Sequence, residues 1–159
     1  MTHKNETDYT QLMAFDFTEP CAEVPTLRSR FFNLLAFPPA VPSNEVIFFL
    51  AAGFPSSDQN YRLAEANALD LVKRVVVCRL GAERRQPSDD ALLEILPLAP
   101  LVFDPDGMSG GSVFVVLAEP DGPAAYFGGL IMRGGRNSLQ ILKTGYIRRF
   151  LDLLVDDTA

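Results

Sequence analysis

The sequence contains one histidine, His3, and no tryptophan. Histidine is the side chain that most often acts as a general acid or base, so a single copy leaves little such chemistry to assign. Its two cysteines, Cys21 and Cys78, are too few for a disulfide framework. No group of histidine, cysteine or acidic residues has the spacing of metal ligands. We therefore expect no metal and no cofactor.

Long hydrophobic runs and excess positive charge are also missing. The longest apolar run, Val46–Phe54, is far shorter than the roughly 20 residues that a membrane-spanning helix needs. The first ten residues are polar and lack the apolar core of a signal peptide, so we expect a cytoplasmic protein that binds no membrane. Lysine and arginine number 14 against 20 acidic residues, a net charge of −6, which argues against nucleic-acid binding.

The chain has 159 residues, 48% of them hydrophobic, which is enough for a domain of ordinary size with its own core. The 11 glycines and 12 prolines favour many turns and short strands over long helices. Prolines cluster between Phe37 and Ser43, which is the best candidate for a linker. We therefore divide the chain into a short N-terminal segment, 1–44, and a main body, 45–159.

Strand-like segments dominate the pattern. In the N-terminal segment, Thr10–Phe17 is predicted as a strand, and Arg30–Phe37 fits either a strand or a helical turn. The main body contains five segments predicted as strands: Glu45–Ala52, Leu71–Leu80, Ser112–Leu117, Ala124–Met132 and Ser138–Lys143. Ser88–Leu96 fits a strand or a short helix. Pro120–Pro123 predicts a hairpin loop of four or more residues.

The C-terminal segment is predicted as an amphipathic helix. Its apolar residues fall on one face at helical spacing, and its charged residues fall on the other. The apolar set is Tyr146, Ile147, Phe150, Leu151 and Leu154, and the charged set is Arg148, Arg149 and Asp152. Short strands followed by one terminal helix predict an all-β barrel or sandwich closed by a helix.

The segment Asp106–Phe114 is the one most suggestive of chemistry, because it places a serine among glycines just before a strand. Glycines permit a tight loop that can direct several backbone N–H groups to one point, and a serine hydroxyl beside that point can attack a carbonyl. The alternative is a glycine-rich turn with an incidental serine. The segment also matches the G-x-S-x-G nucleophile elbow, but that motif requires a helix after the serine, and here a strand follows.

Gly107-Met108-Ser109-Gly110-Gly111 resembles the Gly-Asp-Ser-Gly-Gly-Pro signature of the chymotrypsin/trypsin-like serine peptidases. The resemblance implies that Ser109 is the nucleophile and that the N–H groups of Gly107 and Ser109 form the oxyanion hole. It extends over 45–155, because the strands and the final helix follow in the family's order. It implies an antiparallel six-stranded barrel of the trypsin-like type with a C-terminal α-helix.

The same resemblance suggests roles for further residues. Met132, Arg133 and Gly134 are similar to the edge segment whose backbone pairs with a bound peptide, and Phe103 lies near the base of the specificity pocket. Asp8-Tyr9-Thr10-Gln11-Leu12 resembles the short strand whose aspartate orients the catalytic histidine, which makes Asp8 a weak candidate for the triad carboxylate.

The sequence departs from the family pattern in ways that bear on activity. No histidine motif precedes Asp8, and His3 is better explained as a solvated terminal residue than as a general base. Met108 replaces the signature aspartate, and Ser112 replaces the proline. The segment 1–44 is then a remnant of the first barrel, and the chain as written is expected to be nearly inactive.

Three hypotheses remain at this stage. The chain is an N-terminally shortened serine endopeptidase, a non-catalytic relative that binds peptides or regulates, or a β-rich domain whose serine loop is coincidental. The first two imply a peptide or protein as substrate or ligand. The face left by the missing barrel is expected to be apolar and to promote self-association or binding of a partner.

Overall fold

The computed structural model describes residues 12–29, 31, 46–62, 68–82, 87 and 89–156. The chain divides into two compact units, Met1–Asn33 and Leu34–Ala159. His3, Asp8 and most of Arg30–Phe37 lie outside the described residues.

The first unit contains two short helices, α1 (Thr18–Glu23) and α2 (Pro25–Arg28). The strand predicted at Thr10–Phe17 is wrong where it can be examined, because residues 12–17 form no regular structure. Asp16 Oδ1 instead accepts a 2.8 Å hydrogen bond from the Thr18 N–H as the chain enters α1. Aspartate favours such local bonds to the backbone, which compete with strand pairing.

The second unit is a closed antiparallel barrel of six strands, as predicted, with two further short strands and a C-terminal helix. Around the barrel the strands follow the order β1, β4, β5, β8, β7, β6, and β2 and β3 pair separately. The elements are β1 (Val46–Gly53), β2 (Asn60–Arg62), β3 (Ala68–Asp70), β4 (Arg74–Leu80), β5 (Leu92–Pro97), β6 (Ser112–Glu119), β7 (Gly122–Gly135), β8 (Ser138–Lys143) and α3 (Thr144–Asp156).

Alternate residues of the barrel strands fill its interior, as the period-two geometry of a strand requires. The fully buried members include Ala51, Cys78, Ile95, Leu139 and Ile141. Burying each of the branched aliphatic side chains contributes about 1.5–3 kcal/mol. The interior is therefore a packed apolar core that holds the loops at the barrel ends in place.

Tertiary pairing settles the ambiguous segment Ser88–Leu96 in favour of a strand. Asp89 Oδ1 accepts a 2.9 Å hydrogen bond from the Ala91 N–H, which forms a turn directly before β5. β5 then pairs with β4 on one side and with β8 on the other. Its place between two strands decides between the strand and the helix that the local sequence left open.

The hairpin between β6 and β7 is tighter than the predicted loop of four or more residues. Glu119 pairs directly with Gly122, so only Pro120 and Asp121 lie between the strands. Gly122 has a φ of +117°, which a side chain at this position would oppose. The glycine lets the pairing continue almost to the turn.

The terminal helix confirms most of the predicted amphipathic pattern. α3 packs against β7 and β8, with Ile147 buried and Tyr146 and Phe150 half-buried. The charged residues Arg148, Arg149 and Asp152 are exposed, as predicted. Leu154 differs from the prediction, because 40% of its surface remains exposed.

Candidate active site

The serine loop, defined here as Gly107–Gly111, connects the long segment after β5 to the start of β6. Met108 anchors it, because its side chain is 1% exposed and belongs to the barrel core. The Met108 N–H also donates a 3.0 Å hydrogen bond to the Pro105 carbonyl oxygen. Just before the loop, the Ser56 N–H donates a 2.7 Å bond to the Asp106 carbonyl oxygen. The loop is thus fixed by the core on one side and by the segment after β1 on the other.

Glycine is required at two positions of the loop for different reasons. Gly107 has a φ of +86°, and a Cβ there would lie 2.7 Å from the Ser56 nitrogen. A Cβ on Gly111 would meet the Ala52 carbonyl oxygen of β1, and it would lie 2.8 Å from the Met108 carbonyl oxygen. These close approaches pack the loop tightly against the end of β1.

Hydrogen bonds attach the serine loop to β7. The Gly110 N–H donates to the Ile131 carbonyl oxygen, and the Ile131 N–H donates to the Gly111 carbonyl oxygen, each at 2.8 Å. The Ser109 hydroxyl donates a 2.9 Å bond to the Met132 carbonyl oxygen. The structure therefore brings together Ser109 and Met132, two residues that the sequence analysis singled out separately.

The amides of the serine loop fall into two groups. Those of Met108, Gly110 and Gly111 donate to backbone carbonyl oxygens, the last of them to Met108 at 2.9 Å. Those of Gly107 and Ser109 have no hydrogen-bond acceptor among the residues that the structure describes. Both residues are exposed. They are the pair that the resemblance implies as oxyanion-hole donors.

A cavity of about 360 Å³ opens beside the serine loop. Its walls are the loop itself, Ser112, the end of β1 with Phe54, and Lys73. Among the described residues that line it, Lys73 is the only ionisable one. Nothing in the sequence pattern indicated Lys73, because its proximity to the loop arises from the pairing of β1 with β4.

The segment Met132–Gly135, which we call the β7 edge, pairs with a strand on one side only. Pairing between β6 and β7 ends at Leu130, whereas β7 continues alongside β8 to Gly135. Within the edge, Arg133 Nε donates a 2.6 Å hydrogen bond to Gln140 Oε1 of β8. Its other side has no strand neighbour in the described part of the chain.

Phe103 lies apart from the cavity. It packs half-buried against the barrel core, and the Arg74 guanidinium carbon lies 5.7 Å from its ring centroid. Arg74 Nε also contacts Asp58 Oδ2 at 2.6 Å. The structure therefore joins Phe103 to an arginine and does not place it among the residues lining the cavity at Ser109.

The described residues form neither a metal-binding cluster nor a membrane-spanning helix. No group of three or more histidine, cysteine or acidic residues there could hold a metal ion. No helix in that part of the chain is long and apolar enough to cross a membrane.

Comparison of the chain with known protein families, with curated proteins and with solved structures found no match.

Proposed function

We propose that the barrel is a serine-peptidase domain of the trypsin-like type, with Ser109 as nucleophile. The observation that carries the proposal is the alternation of the loop amides. The N–H groups of Gly107 and Ser109 have no partner among the described residues, while the amides of Met108, Gly110 and Gly111 are all bonded. The two unbonded N–H groups flank the Gly107–Met108 peptide unit and lie next to the serine hydroxyl in the chain. Such a pair of donors suits the oxyanion of a tetrahedral intermediate.

The chemistry follows from these groups. The Ser109 oxygen attacks a peptide carbonyl carbon, and the carbonyl oxygen becomes an oxyanion that accepts hydrogen bonds from the two free amides. Each such donor is worth about 3 kcal/mol of transition-state stabilisation. The hydroxyl proton must pass to a base, which then gives it to the peptide nitrogen as the C–N bond breaks and the amine leaves. The ester that remains on Ser109 is hydrolysed by water, which regenerates the hydroxyl and releases the acid. The chain's one histidine lies outside the described residues.

The β7 edge supports a peptide as substrate. An extended peptide can add to an unpaired strand edge through main-chain hydrogen bonds, and the backbone of Met132–Gly134 offers such an edge. The Ser109 hydroxyl is bonded to Met132 at the start of this edge. A peptide lying along it would therefore carry its carbonyl groups past the nucleophile.

A second candidate, a non-catalytic peptide-binding or regulatory module, is favoured by a different observation. The Ser109 hydroxyl donates to a backbone carbonyl oxygen, and it has no hydrogen bond to a basic side chain among the described residues. A triad enzyme that loses one member retains only about 10³–10⁴-fold catalysis over the reaction in water. The chain by itself is then a slow enzyme at best. Asp8 stays a predicted triad carboxylate.

Phosphonylation with a fluorophosphonate probe tests the proposal. We expect slow modification of Ser109, located by mass spectrometry, and a rate that increases with added imidazole, which supplies the missing base. Ser109→Ala should abolish the modification, and the matched variant Ser112→Ala should retain it. Absence of modification with and without imidazole, or equal modification of several serines, would refute the nucleophile assignment.

Peptide binding separates the two candidates. NMR titration with unlabelled acetylated peptides should perturb the amides of the β7 edge under either one. Perturbation there without modification of Ser109 leaves the binding module as the function. If neither occurs, both candidates fail and the serine loop is a structural turn.

A further inference from the structure

We propose that Lys73 makes the cavity beside Ser109 a binding site for a carboxylate group of the peptide. The inference deepens the proposed function and rests on it, because it names the substrate class of the same site. Lys73 directly precedes β4, and the pairing of Gly53 with Arg74 brings it alongside Phe54 at the end of β1. The lysine and the serine loop therefore form parts of one cavity wall.

The charge of Lys73 is available to a ligand. Its side chain is exposed and forms no ion pair with any residue that the structure describes. An exposed lysine carries a positive charge at neutral pH. The neighbouring Arg74 differs, because it is engaged by Asp58 and by the ring of Phe103. Of the two adjacent cations, Lys73 is thus the one that can meet a ligand.

No described carboxylate forms an ion pair with Lys73. Asp58 is bonded to Arg74, and Asp104 Oδ1 accepts a 3.1 Å hydrogen bond from the Asp106 N–H. Asp106 is exposed but does not line the cavity. The amides of Gly107 and Ser109 are already assigned to the oxyanion of the reacting carbonyl, so the ammonium group of Lys73 is the charge that a carboxylate would meet. The described residues that line the cavity include no carboxylate. The cavity therefore favours an anion, although the whole chain has a net charge of −6.

The position of the cavity indicates which part of the peptide would carry the negative charge. Ser109 lines the cavity and also bonds to the β7 edge, whereas Met132–Gly134 do not line the cavity. A peptide that lies along the edge and presents a carbonyl to Ser109 would continue into the cavity. The carboxylate would then lie on the C-terminal side of the reacting carbonyl. It would belong either to an acidic side chain or to the free C-terminus of the peptide.

Matched peptides test this inference. The first set of probes consists of acetylated octapeptide amides with one aspartate at successive positions. The second set replaces that aspartate with asparagine and is the neutral control. The third set consists of the asparagine peptides with a free C-terminal carboxylate. NMR titration should show that one aspartate position or the free carboxylate binds about two- to fivefold more tightly than the neutral counterpart, the range expected of one exposed ion pair. The preferred form identifies the source of the carboxylate. Salt should reduce the preference.

Two variants with equal loss of charge provide the control. Lys73→Gln should abolish the preference, and Arg79→Gln should retain it, because Arg79 is exposed on β4 but does not line the cavity. Equal affinities for charged and neutral peptides, or equal loss in both variants, would overturn the role of Lys73. If Ser109 is phosphonylated and peptides bind without a preference for a carboxylate, this inference fails and the proposed function stands. If no peptide binds and Ser109 stays unmodified, the proposed function fails with it.

Discussion

The hydroxyl of Ser109 donates a 2.9 Å hydrogen bond to the backbone carbonyl oxygen of Met132, 23 positions along the chain. The bond links the serine loop to the start of the β7 edge. In the proposed reaction the hydroxyl leaves this acceptor when its proton passes to a base. It is one of three hydrogen bonds that attach the serine loop to β7, and it joins the proposed nucleophile to the proposed peptide-pairing edge.

Removal of this hydroxyl should cost little stability. The bond is exposed, and such a bond contributes about 0.5–1.5 kcal/mol. We therefore expect Ser109→Ala to lower the free energy of unfolding, measured by urea denaturation, by about 1 kcal/mol at most. A loss of about 3 kcal/mol or more would show that the serine serves the fold, which would weaken its assignment as a nucleophile.

Alanine substitutions at three glycines should separate steric overlap from backbone strain. Gly107→Ala combines a positive φ with a Cβ only 2.7 Å from the Ser56 nitrogen, and we expect a loss of about 3 kcal/mol or more. Gly110→Ala has a φ of +80° with no atom in the way, so about 1–2 kcal/mol is expected.

Gly135→Ala is the control, because nothing lies within 4 Å of its Cβ and its φ is not in the left-handed region. It should change stability by about 0.5 kcal/mol or less. Urea denaturation of the three variants measures their free energies of unfolding and gives the order of the losses. Equal stability of the Gly107 and Gly135 variants would contradict the described packing of the serine loop on Ser56.

Met108 should anchor the serine loop through its buried side chain. We expect Met108→Ala to lower the free energy of unfolding by about 2–5 kcal/mol, because it leaves a cavity in the core. Met108→Leu nearly conserves volume and should cost less than about 1.5 kcal/mol. Chemical denaturation followed by circular dichroism measures both. A neutral Met108→Ala variant would show that the loop does not depend on the core.

The two thiols should differ sharply in reactivity. Cys78 is fully buried, and burial raises the pKa of its thiol to about 12, whereas Cys21 is half-buried. Because the thiolate is the reactive form, iodoacetamide at pH 8 should alkylate Cys21 alone in the native protein and both cysteines in denaturant. Mass spectrometry counts the adducts. Rapid native alkylation of Cys78 would contradict the closed core.

The same shift in pKa predicts a dependence of stability on pH. An unfolded thiol ionises at about pH 8.5, whereas the folded Cys78 thiol stays protonated to about pH 12. Its contribution to stability is therefore complete below about pH 8.5 and is lost as the pH rises towards 12. The difference in unfolding free energy between wild type and Cys78→Ala should shrink over that range. A constant difference would argue against a buried thiol.

Strand patterns and turn residues predicted a barrel or a sandwich closed by a helix, and the choice of a six-stranded barrel came from the resemblance. The structure confirms the barrel and the final helix. Ser138–Lys143 was predicted with the bounds of β8, because its alternating residues are buried and its ends are marked by a turn and by α3. Ser88–Leu96 could not be decided locally, since its strand form depends on pairing with β4 and β8. Thr10–Phe17 was predicted as a strand from a weak alternation of apolar and polar residues. In the structure Asp16 Oδ1 instead accepts a hydrogen bond from the Thr18 N–H.

The candidate site was predictable only in part. The glycines around Ser109 marked the loop, because their backbone requirements are local. The core role of Met108 and the position of Lys73 depend on how β1, β4 and the loop meet in space, and no local pattern reports this.

The structure of the Ser109 adduct with a fluorophosphonate tests the central claim most directly. We expect the phosphoryl oxygen to lie about 2.7–3.1 Å from the nitrogens of both Gly107 and Ser109, the distances of an oxyanion hole. An adduct whose phosphoryl oxygen contacts only solvent, or bonds to groups other than these two amides, would contradict the claim.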